Sequence, residues 1–541
     1  MNTKQAVSIL KLNWKSGLTV SLVAIPLSIS LAVASHTSPV VGILTAIWAG
    51  LVAALAGGSN YNVVGPTGAL SGILASYAIL HGSETLATVA VLSGLIIFFA
   101  YLFRLHKYLV FVPGSAIHGF TLGVAFIIGL GQLNFALGIT GLTAHERFID
   151  NLMESARHFA AFSPVSLILF LASLALLLLF KKFYPRLPGA IVLAPIGIGL
   201  GLVFQNKSGF TLQTLGSLYP HMAAAFFLPV KPYLSQSAVI AAFAVALVAI
   251  LETMISAKIA DGMTGTRHSR RKEMRGLALA NIISGIMGGM PATAALARTS
   301  LNVKTGATSK ISAALSSLAV AIIALFFLKY FKFMPLAVIA AILVFVAIQM
   351  VEAEHFMRMF KYDRRNFYLS LVTAFITVFE DPIVGILFGV GVASLLLMEK
   401  LSRGQFDLAI NDSRKRMVDR ISGDRMQKIV QGSDTIVYSI KGLLCYINSE
   451  SHVSRFRLHL NGSKNVILRM RSVYYIDMDG VEALDEIVRI LKDAGKNVYI
   501  TGVNSMISGM LSESREFQQI KTEGRAYKKS SEVLKVLGFA V

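Results

Sequence analysis

An acidic side chain inside an apolar run is the first residue here that asks for a chemical reason. Glu252 lies in Leu251-Glu252-Thr253-Met254-Ile255-Ser256, and a carboxylate within a bilayer-spanning helix is costly enough to mark a functional site by default. It reads as a proton carrier or as a ligand for a coupling cation, the plainer alternative being a structural hydrogen bond to a neighbouring helix. Ser256 lies one turn later on the same helix face and belongs with it.

Two short stretches resemble each other, Pro66-Thr67-Gly68-Ala69-Leu70-Ser71 and Ala292-Thr293-Ala294-Ala295-Leu296-Ala297. Their offset is 293 − 67 = 226, and the same offset carries Pro26 onto Glu252. Each stretch interrupts a short apolar segment, so each predicts a half-helix, one beginning near Thr67 and one near Thr293. A helix N-terminus carries roughly +0.5 of a charge and free N–H groups. Two of them facing each other within the membrane make an anion cradle. Gly68, Ala69, Ala294 and Ala295 are small enough to let an anion reach the backbone; their other reading is close helix packing. Arg298 follows five residues after Thr293. It either draws the anion in or forms a fixed ion pair with a carboxylate such as Glu252. The predicted substrate-binding set is therefore Thr67, Gly68, Ala69, Thr293, Ala294, Ala295 and Arg298, and the coupling-ion set Glu252 and Ser256.

The elements that must hold these residues are membrane helices. The chain has 541 residues, 55% of them hydrophobic and only 15% charged, whereas a soluble protein carries about 25% charged residues. Apolar runs long enough to cross a ~30 Å hydrocarbon core recur near 17–34, 38–57, 63–80, 86–103, 109–133, 164–181, 187–205, 234–258, 275–290, 293–303, 311–328, 334–351, 367–379 and 382–399. The third and tenth are the short, broken ones. Fourteen segments related at this offset form two halves of seven. Seven is odd, so the second half enters from the opposite face and the repeat is inverted.

The net charge of +21 does not point to nucleic acid, because the basic residues sit in short clusters between apolar runs. Arg104 and Lys107, Lys181, Lys182 and Arg186, the Arg267–Arg275 cluster, and Arg358 to Arg365 fall on one side if the N-terminus is inside. The positive-inside rule then puts both termini in the cytoplasm of a multi-pass inner-membrane protein. The first apolar run has no small-residue cleavage site and reads as a retained helix. Lys258 and Asp261 read as interfacial, Asp381-Pro382 as a helix start, and His118 as a satisfied core histidine. Cys445 is the one cysteine. The sequence offers no nucleotide loop, metal-ligand cluster or nucleophile–base pair, so neither an enzyme nor a cofactor is expected.

Texture changes after about Lys400. Residues 1–402 read as the transmembrane domain, 403–432 as a charged linker and 433–541 as a small α/β domain. Strands are predicted over Thr435 to Ile440, Asn465 to Met470 and Asn497 to Gly502, with a helix over Val481 to Leu491.

These residues resemble the SulP family of anion permeases. The carriers of the resemblance are Val64 to Ser71, Glu252 to Asp261, Gly288-Gly289-Met290-Pro291 and Arg298-Thr299-Ser300. The resemblance implies an all-α membrane domain of about 14 segments in a 7+7 inverted repeat, split into a core that moves like an elevator against a gate. It also implies a homodimer carrying a small anion (sulfate first, bicarbonate next), with H+ or Na+ coupling. A passive exchanger or channel and a dicarboxylate carrier on the same fold remain the alternatives. Many members have a glutamine after the first-segment proline; this chain has Leu27 after Pro26, so the resemblance does not fix the anion. The C-terminal region looks like a STAS domain, a regulatory module with a possible cytoplasmic partner. Its signature runs from Val466 to Gly480. Asp479 stands where related regulators have a phosphorylatable serine, and its carboxylate is expected at the start of the following helix.

Overall fold

The computed structural model describes residues 3–105, 107, 113–139, 141–143, 145, 147–184, 188–204, 212–220, 222–411, 417–422, 434–458 and 463–539. Arg186, Asp412, Arg414, Lys415, Arg416 and the predicted domain boundary at Ser433 lie outside them, as does the stretch 109–112 at the start of the predicted fifth segment. The chain divides into two compact units, Met1–Ala393 and Ser394–Val541, described separately below.

The first unit is helical. Its main elements are α1 (Thr3–Ala34), α2 (Pro39–Ala56), α3 (Gly68–His81), α4 (Leu86–Leu102), α5 (Gly114–Leu130), α6 (Pro164–Phe183), α7 (Gly189–Phe204), α8 (Gln236–Thr264), α9 (Arg270–Ile286), α10 (Leu296–Lys304), α11 (Ile311–Phe327), α12 (Leu336–Met350), α13 (Ala353–Tyr362) and α14 (Arg364–Phe379). A further helix, α15 (Pro382–Ser402), runs through the boundary between the units. Among the described residues, nine helical stretches are long and apolar enough to cross a membrane, which makes this a polytopic membrane protein.

Local sequence sets the helix limits. Ser38, Ser163 and Ser235 each accept a backbone N–H of the following first turn, and Pro39 and Pro164 occupy first helical positions, where a missing N–H costs nothing. Gly265 ends α8 in the left-handed conformation, φ +71°. Two helices begin earlier than hydropathy indicates: α1 at Thr3 instead of 17, and α9 at Arg270 instead of 275. The additions, residues 3–16 and 270–274, carry Lys4, Lys11 and Lys15 and Arg270, Arg271, Lys272 and Glu273, which an apolar window does not register.

Within a bilayer, burying apolar surface does not drive helix association; close packing and polar contacts do. The helix α9 is accordingly lined by small residues. A Cβ at Gly94 of α4 would lie 2.7 Å from the Ile282 backbone N, and one at Gly276 would lie 2.5 Å from Gly57 Cα. Glycine at these two positions lets α9 seat against α4 and the end of α2.

The second unit is a six-stranded sheet of order β4-β3-β5-β6-β7-β8. Here β3 is Gln405–Asn411, β4 Met417–Ser422, β5 Thr435–Leu444, β6 Asn465–Ile476, β7 Asn497–Thr501 and β8 Ala526–Tyr527. The strands β5 to β8 run parallel, while β3 pairs antiparallel with both β4 and β5. The linker reading of 403–432 is thus corrected. Its described residues supply two strands, and Gln405 to Asn411 pairs along β5 from Lys441 to Thr435. Only β4 lies at the edge of the sheet, where charge is tolerated; β3 is paired on both sides, and its buried Asp407 pairs with Lys441 of β5. Helices accompany the sheet, among them α16 (Ser449–Leu458), α17 (Met478–Asp493) and α18 (Arg515–Thr522). The apolar stripe Val481, Leu484, Ile487, Val488 and Leu491 of α17 is buried with Ile440, Leu468 and Ile500 of the sheet. Each such side chain contributes about 1.5–3 kcal/mol on burial.

Candidate functional site

The site is built on a pair of two-residue strands between membrane helices. Val64–Gly65 (β1) pairs antiparallel with Thr293–Ala294 (β2), Val64 opposite Ala294 and Gly65 opposite Thr293. The chain leaves β1 into α3, whose N-cap is Thr67, and leaves β2 into α10, whose N-cap is Ala295. At 1.5 Å per residue these helices of 14 and 9 residues reach only about 21 and 14 Å, well short of a full span. The two interrupted segments read from the sequence are therefore brought side by side.

One boundary needs correction. The second half-helix begins at Leu296, not near Thr293; Thr293 and Ala294 are extended. Between N-caps the offset is 295 − 67 = 228, two more than the motif offset of 226. Strand pairing, together with Pro291, keeps the chain extended for two residues that composition alone would assign to the helix.

Polar side chains fix both crossovers. Asn281 clamps Ala292, its Oδ1 accepting the Ala292 N–H at 2.8 Å and its Nδ2 donating to the Ala292 carbonyl at 3.0 Å. Thr253 Oγ1 accepts the Ala294 N–H at 3.2 Å and lies 2.9 Å from Thr293 Oγ1, which itself donates to the Ala249 carbonyl. On the other side the buried Glu273 accepts from Gly58 N and Ser59 N, both at 2.6 Å, and from Asn62 Nδ2 at 2.7 Å. Asn302 Nδ2 donates to the Tyr61 carbonyl at 2.9 Å, and Thr299 Oγ1 accepts the Val63 N–H at 3.2 Å. Sequence reasoning missed Glu273, Asn281, Asn302 and Thr299. The signal available was polar residues recurring in helices flanking the motif, which hydropathy averaging conceals.

Glu252 faces this junction. The Thr67 hydroxyl donates to Glu252 Oε2 at 3.1 Å, and the Thr293 hydroxyl and the Arg298 guanidinium lie beside the same carboxylate. Glu252 remains partly accessible, although its neighbours Leu251 and Thr253 are buried. Arg298 is almost fully buried, at 2% exposure. Its Nη2 donates to the Pro66 carbonyl, and its Nη1 has no hydrogen-bond partner among the described residues. A Cβ at Gly65 would lie 2.7 Å from that Nη1, so glycine is what admits the guanidinium. Ser256 Oγ, one turn from Glu252, is likewise buried without a partner.

The predicted residues thus gather at one junction, with differing roles. Thr67, Thr293, Glu252 and Arg298 converge through their side chains. Neither Thr67 nor Ala295 caps its helix with a side chain, which leaves the first-turn amides of Gly68 and Ala69, and of Leu296 and Ala297, without a side-chain acceptor. Ala294 is committed to the strand pair, and its N–H is taken by Thr253. A Cβ at Gly68 would lie 2.7 Å from Met350 Sδ and 3.1 Å from Ile128 Cδ1, so the ends of α12 and α5 approach the start of α3. Two cavities, of about 520 and 300 Å³, are lined by other residues, around His355 and around Lys272. Asp261 bonds His268 and Thr266 in the loop after α8, and Asp381 Oδ1 accepts the Ile383 N–H at the start of α15. Local spacing gave no metal-ligand cluster, but the fold brings together His118, Glu352 and His355, whose donor atoms could hold an ion. His118 is satisfied, as expected, its partner being Glu352, 3.2 Å away.

Comparison with known proteins agrees with this architecture. The profile of the Sulfate permease family matches residues 10–373, and that of the STAS domain matches residues 427–526. A Bacillus subtilis protein named "Putative sulfate transporter YvdB" is 30% identical over 514 residues, covering 93% of this chain and 94% of its own. The "Bicarbonate transporter BicA" of Picosynechococcus sp. is 22% identical over 525 residues, covering 93% and 90%. Among solved structures, "The overall structure of SLC26A9" aligns with a TM-score of 0.84 at 16% identity, over 98% of this chain and 91% of that one. The transmembrane domain of a cyanobacterial BicA aligns with a TM-score of 0.61 at 22% identity, over 71% and 97%.

Proposed function

Because the chain belongs to the sulfate permease family, whose members are membrane carriers and not enzymes, we propose that it is a secondary active transporter of a small inorganic anion. The anion sits between the starts of α3 and α10. The observation that carries this reading is the β1–β2 pair, which sets two uncapped helix N-termini beside Arg298 and Glu252. Two partial positive charges, one full one and several hydroxyls match a compact anion with many acceptor oxygens. Sulfate is the first candidate, in keeping with the name of the 30% identical relative, and bicarbonate the second.

Glu252 is the coupling residue. It shares hydroxyl donors with the anion site, and it stands near Arg298 without a direct ion pair among the described contacts. Binding a proton or a sodium ion at Glu252 and Ser256 would remove the negative charge that opposes the anion. A full load would then be needed before the site moves. The antiparallel strand pair is what a 7+7 inverted repeat would produce at its centre. On this reading α1–α4 and α8–α11 form the moving core, and α5–α7, α12, α14 and α15 the gate. Met350 and Ile128 against Gly68 mark where the two meet. The positive-inside pattern supports an inner-membrane location with both termini cytoplasmic. The domain limits proposed are 1–402 for transport and 433–541 for the STAS module, with β3 and β4 of the intervening stretch joining its sheet; the module serves dimer formation or a cytoplasmic regulator.

Reconstituted into liposomes, the protein takes up labelled sulfate or bicarbonate against its gradient when an inward proton or sodium gradient is imposed. In Glu252→Gln, concentrative uptake is lost while the melting temperature and the elution volume are kept. Gradient-driven uptake by Glu252→Gln equal to that of the parent would leave Glu252 with a structural role only. Flux indifferent to both cation gradients in the parent chain would favour a passive exchanger. Competition by fumarate instead of sulfate would favour a dicarboxylate carrier.

A further inference from the structure

The group His118, Glu352 and His355 shares no residue with the anion site, although Met350, two residues before Glu352, packs against Gly68, and the transport reading gives it no task. His118 sits one turn into α5. Glu352 is the N-cap of the amphipathic helix α13, and His355 lies in its first turn. One donor atom from each of the three lies within 4.8 Å of the others. His118 Nδ1 is 3.2 Å from Glu352 Oε2, and the two imidazoles stack with centroids 3.9 Å apart.

A simple ion pair does not account for this arrangement. One carboxylate pairs with one imidazolium, and the second imidazole, stacked on the first, has no ion-pair partner of its own among the described contacts. Two imidazoles and one carboxylate converging from two helices are the ligand set of zinc-type ions, with three protein ligands and one open position. Hard cations such as Mg²⁺ and Ca²⁺ prefer oxygen ligands throughout. In a tetrahedral site with bonds near 2.0–2.1 Å, ligand atoms stand ~3.3 Å apart. Donors within 4.8 Å are at most ~1.5 Å beyond that separation.

The scaffold is firm on one side and open on the other. The helix α5 is locked to α14 beside His118, since Ser370 Oγ donates to the Ser115 carbonyl at 2.8 Å and a Cβ at Gly119 would lie 2.4 Å from the Ser370 carbonyl oxygen. A cavity of about 520 Å³ lined by Glu352, His355 and Arg358 gives an ion and its water an approach. Arg358, which lines the same cavity, pairs with Glu354 at 3.4 Å.

We propose that His118, Glu352 and His355 bind one divalent transition-metal ion of the zinc type, which ties the start of α13 to α5. The site is independent of the anion reading. The test uses the full-length chain in nanodiscs, purified through a tag without histidine, because the chain itself holds 11 histidines and stoichiometry must be clean. Titration with Co²⁺ is expected to raise the visible ligand-field bands of a tetrahedral complex, saturating at one ion per chain and displaced by Zn²⁺. Zn²⁺ is expected to raise the melting temperature by at least ~2 °C. Glu352→Gln should weaken Co²⁺ binding at least ~10-fold, and His118→Asn with His355→Asn should abolish the bands. Each variant is judged against its own metal-free melting curve. Should the double variant not fold, Glu352→Gln decides. The absence of tetrahedral bands in the parent chain overturns the proposal, as does parent-like affinity in Glu352→Gln.

Discussion

Helix N-termini are treated in two ways in this chain. Ser235, Ser269 and, in the second unit, Asp477 each turn a side-chain oxygen back onto the first turn of their helix, Asp477 Oδ1 accepting the Gly480 N–H at 2.9 Å. Thr67 does not, although it carries the right group; its hydroxyl points to Glu252 instead. Ala295 has no such group to offer. Uncapped starts occur elsewhere too, at Pro113 and Pro335, where the residue type leaves no choice, and at Thr85 and Glu352, where it does not. Capping contributes about 1 kcal/mol, so forgoing it at the two membrane crossovers needs a return, and a bound anion is what uncapped amides can receive. Capped starts build structure; these two are kept open.

The sharpest way to break this comparison is to cap an open start. Thr67→Asp supplies an internal carboxylate to the first turn of α3 and sets a second negative charge near Glu252. Anion uptake should fall on the order of 100-fold or more, since a charge-assisted contact contributes several kcal/mol at such a site, while Thr67→Ser, which keeps the donor, should stay within about threefold. Uptake by Thr67→Asp within threefold of the parent would show that the α3 start is a packing feature and nothing more. Initial rates in proteoliposomes, normalised to reconstituted protein, make the measurement.

A second contrast concerns buried polar atoms left without a partner. Arg298 Nη1 and Ser256 Oγ are such atoms at the junction, and His452 Nε2 is one in the sheet unit. The last has a plainer explanation. His452 is enclosed beside Tyr438, whose Oη lies 2.8 Å from Nδ1, and burial first, then Arg455, lowers its pKa to about 3. The imidazole is therefore neutral when folded. Unfolded, it titrates near 6.5, so the unfolded chain binds the extra proton between about pH 3 and 6.5. Stability is full above 6.5 and declines as the pH falls through that window, by ~2 kcal/mol at pH 5. Hydrogen exchange over residues 434–458 should accelerate between pH 7 and 5, after correction for intrinsic rates, in the parent chain but not in His452→Gln. Equal acceleration in both would trace the effect to other groups.

Much of this was legible beforehand, for identifiable reasons. Hydropathy finds a helix wherever apolar residues run long enough, and Glu252 and Thr67 stand out against such runs. The start of α10 was displaced because its first residues belong to a strand whose partner, Val64–Gly65, lies 229 positions away (293 − 64). Charge alone suggests a linker over β3 and β4, because the strand that pairs β3, and Lys441 that pairs with its Asp407, lie outside that stretch. The ring of Asn281, Asn302, Thr299 and Glu273 was invisible, since each is an ordinary polar residue until the fold sets it against a backbone group. His118 and Glu352, separated by 234 positions (352 − 118), share no local pattern at all.

The smallest expected effect tests the other arm of the helix-start comparison. Asp479 lies in the first turn of α17, as expected, and Asp477 caps that helix, its Oδ1 accepting the Gly480 N–H and its Oδ2 the Tyr446 N–H at 3.2 Å. Asp477 thereby ties the end of β6 to the loop after β5, and its extended backbone lets the strand turn into the helix. Asp477→Ala should cost about 1 kcal/mol in the second unit, seen as faster hydrogen exchange across α17, and should leave initial uptake rates unchanged. Asp479→Ala should do less, because it removes only a charge near the positive helix end, typically 0.3–1 kcal/mol on the general scale of such effects. If Asp477→Ala instead slowed uptake as strongly as Thr67→Asp, capped and open starts could no longer be assigned separate tasks, and the second unit would have to be counted as part of the transport cycle.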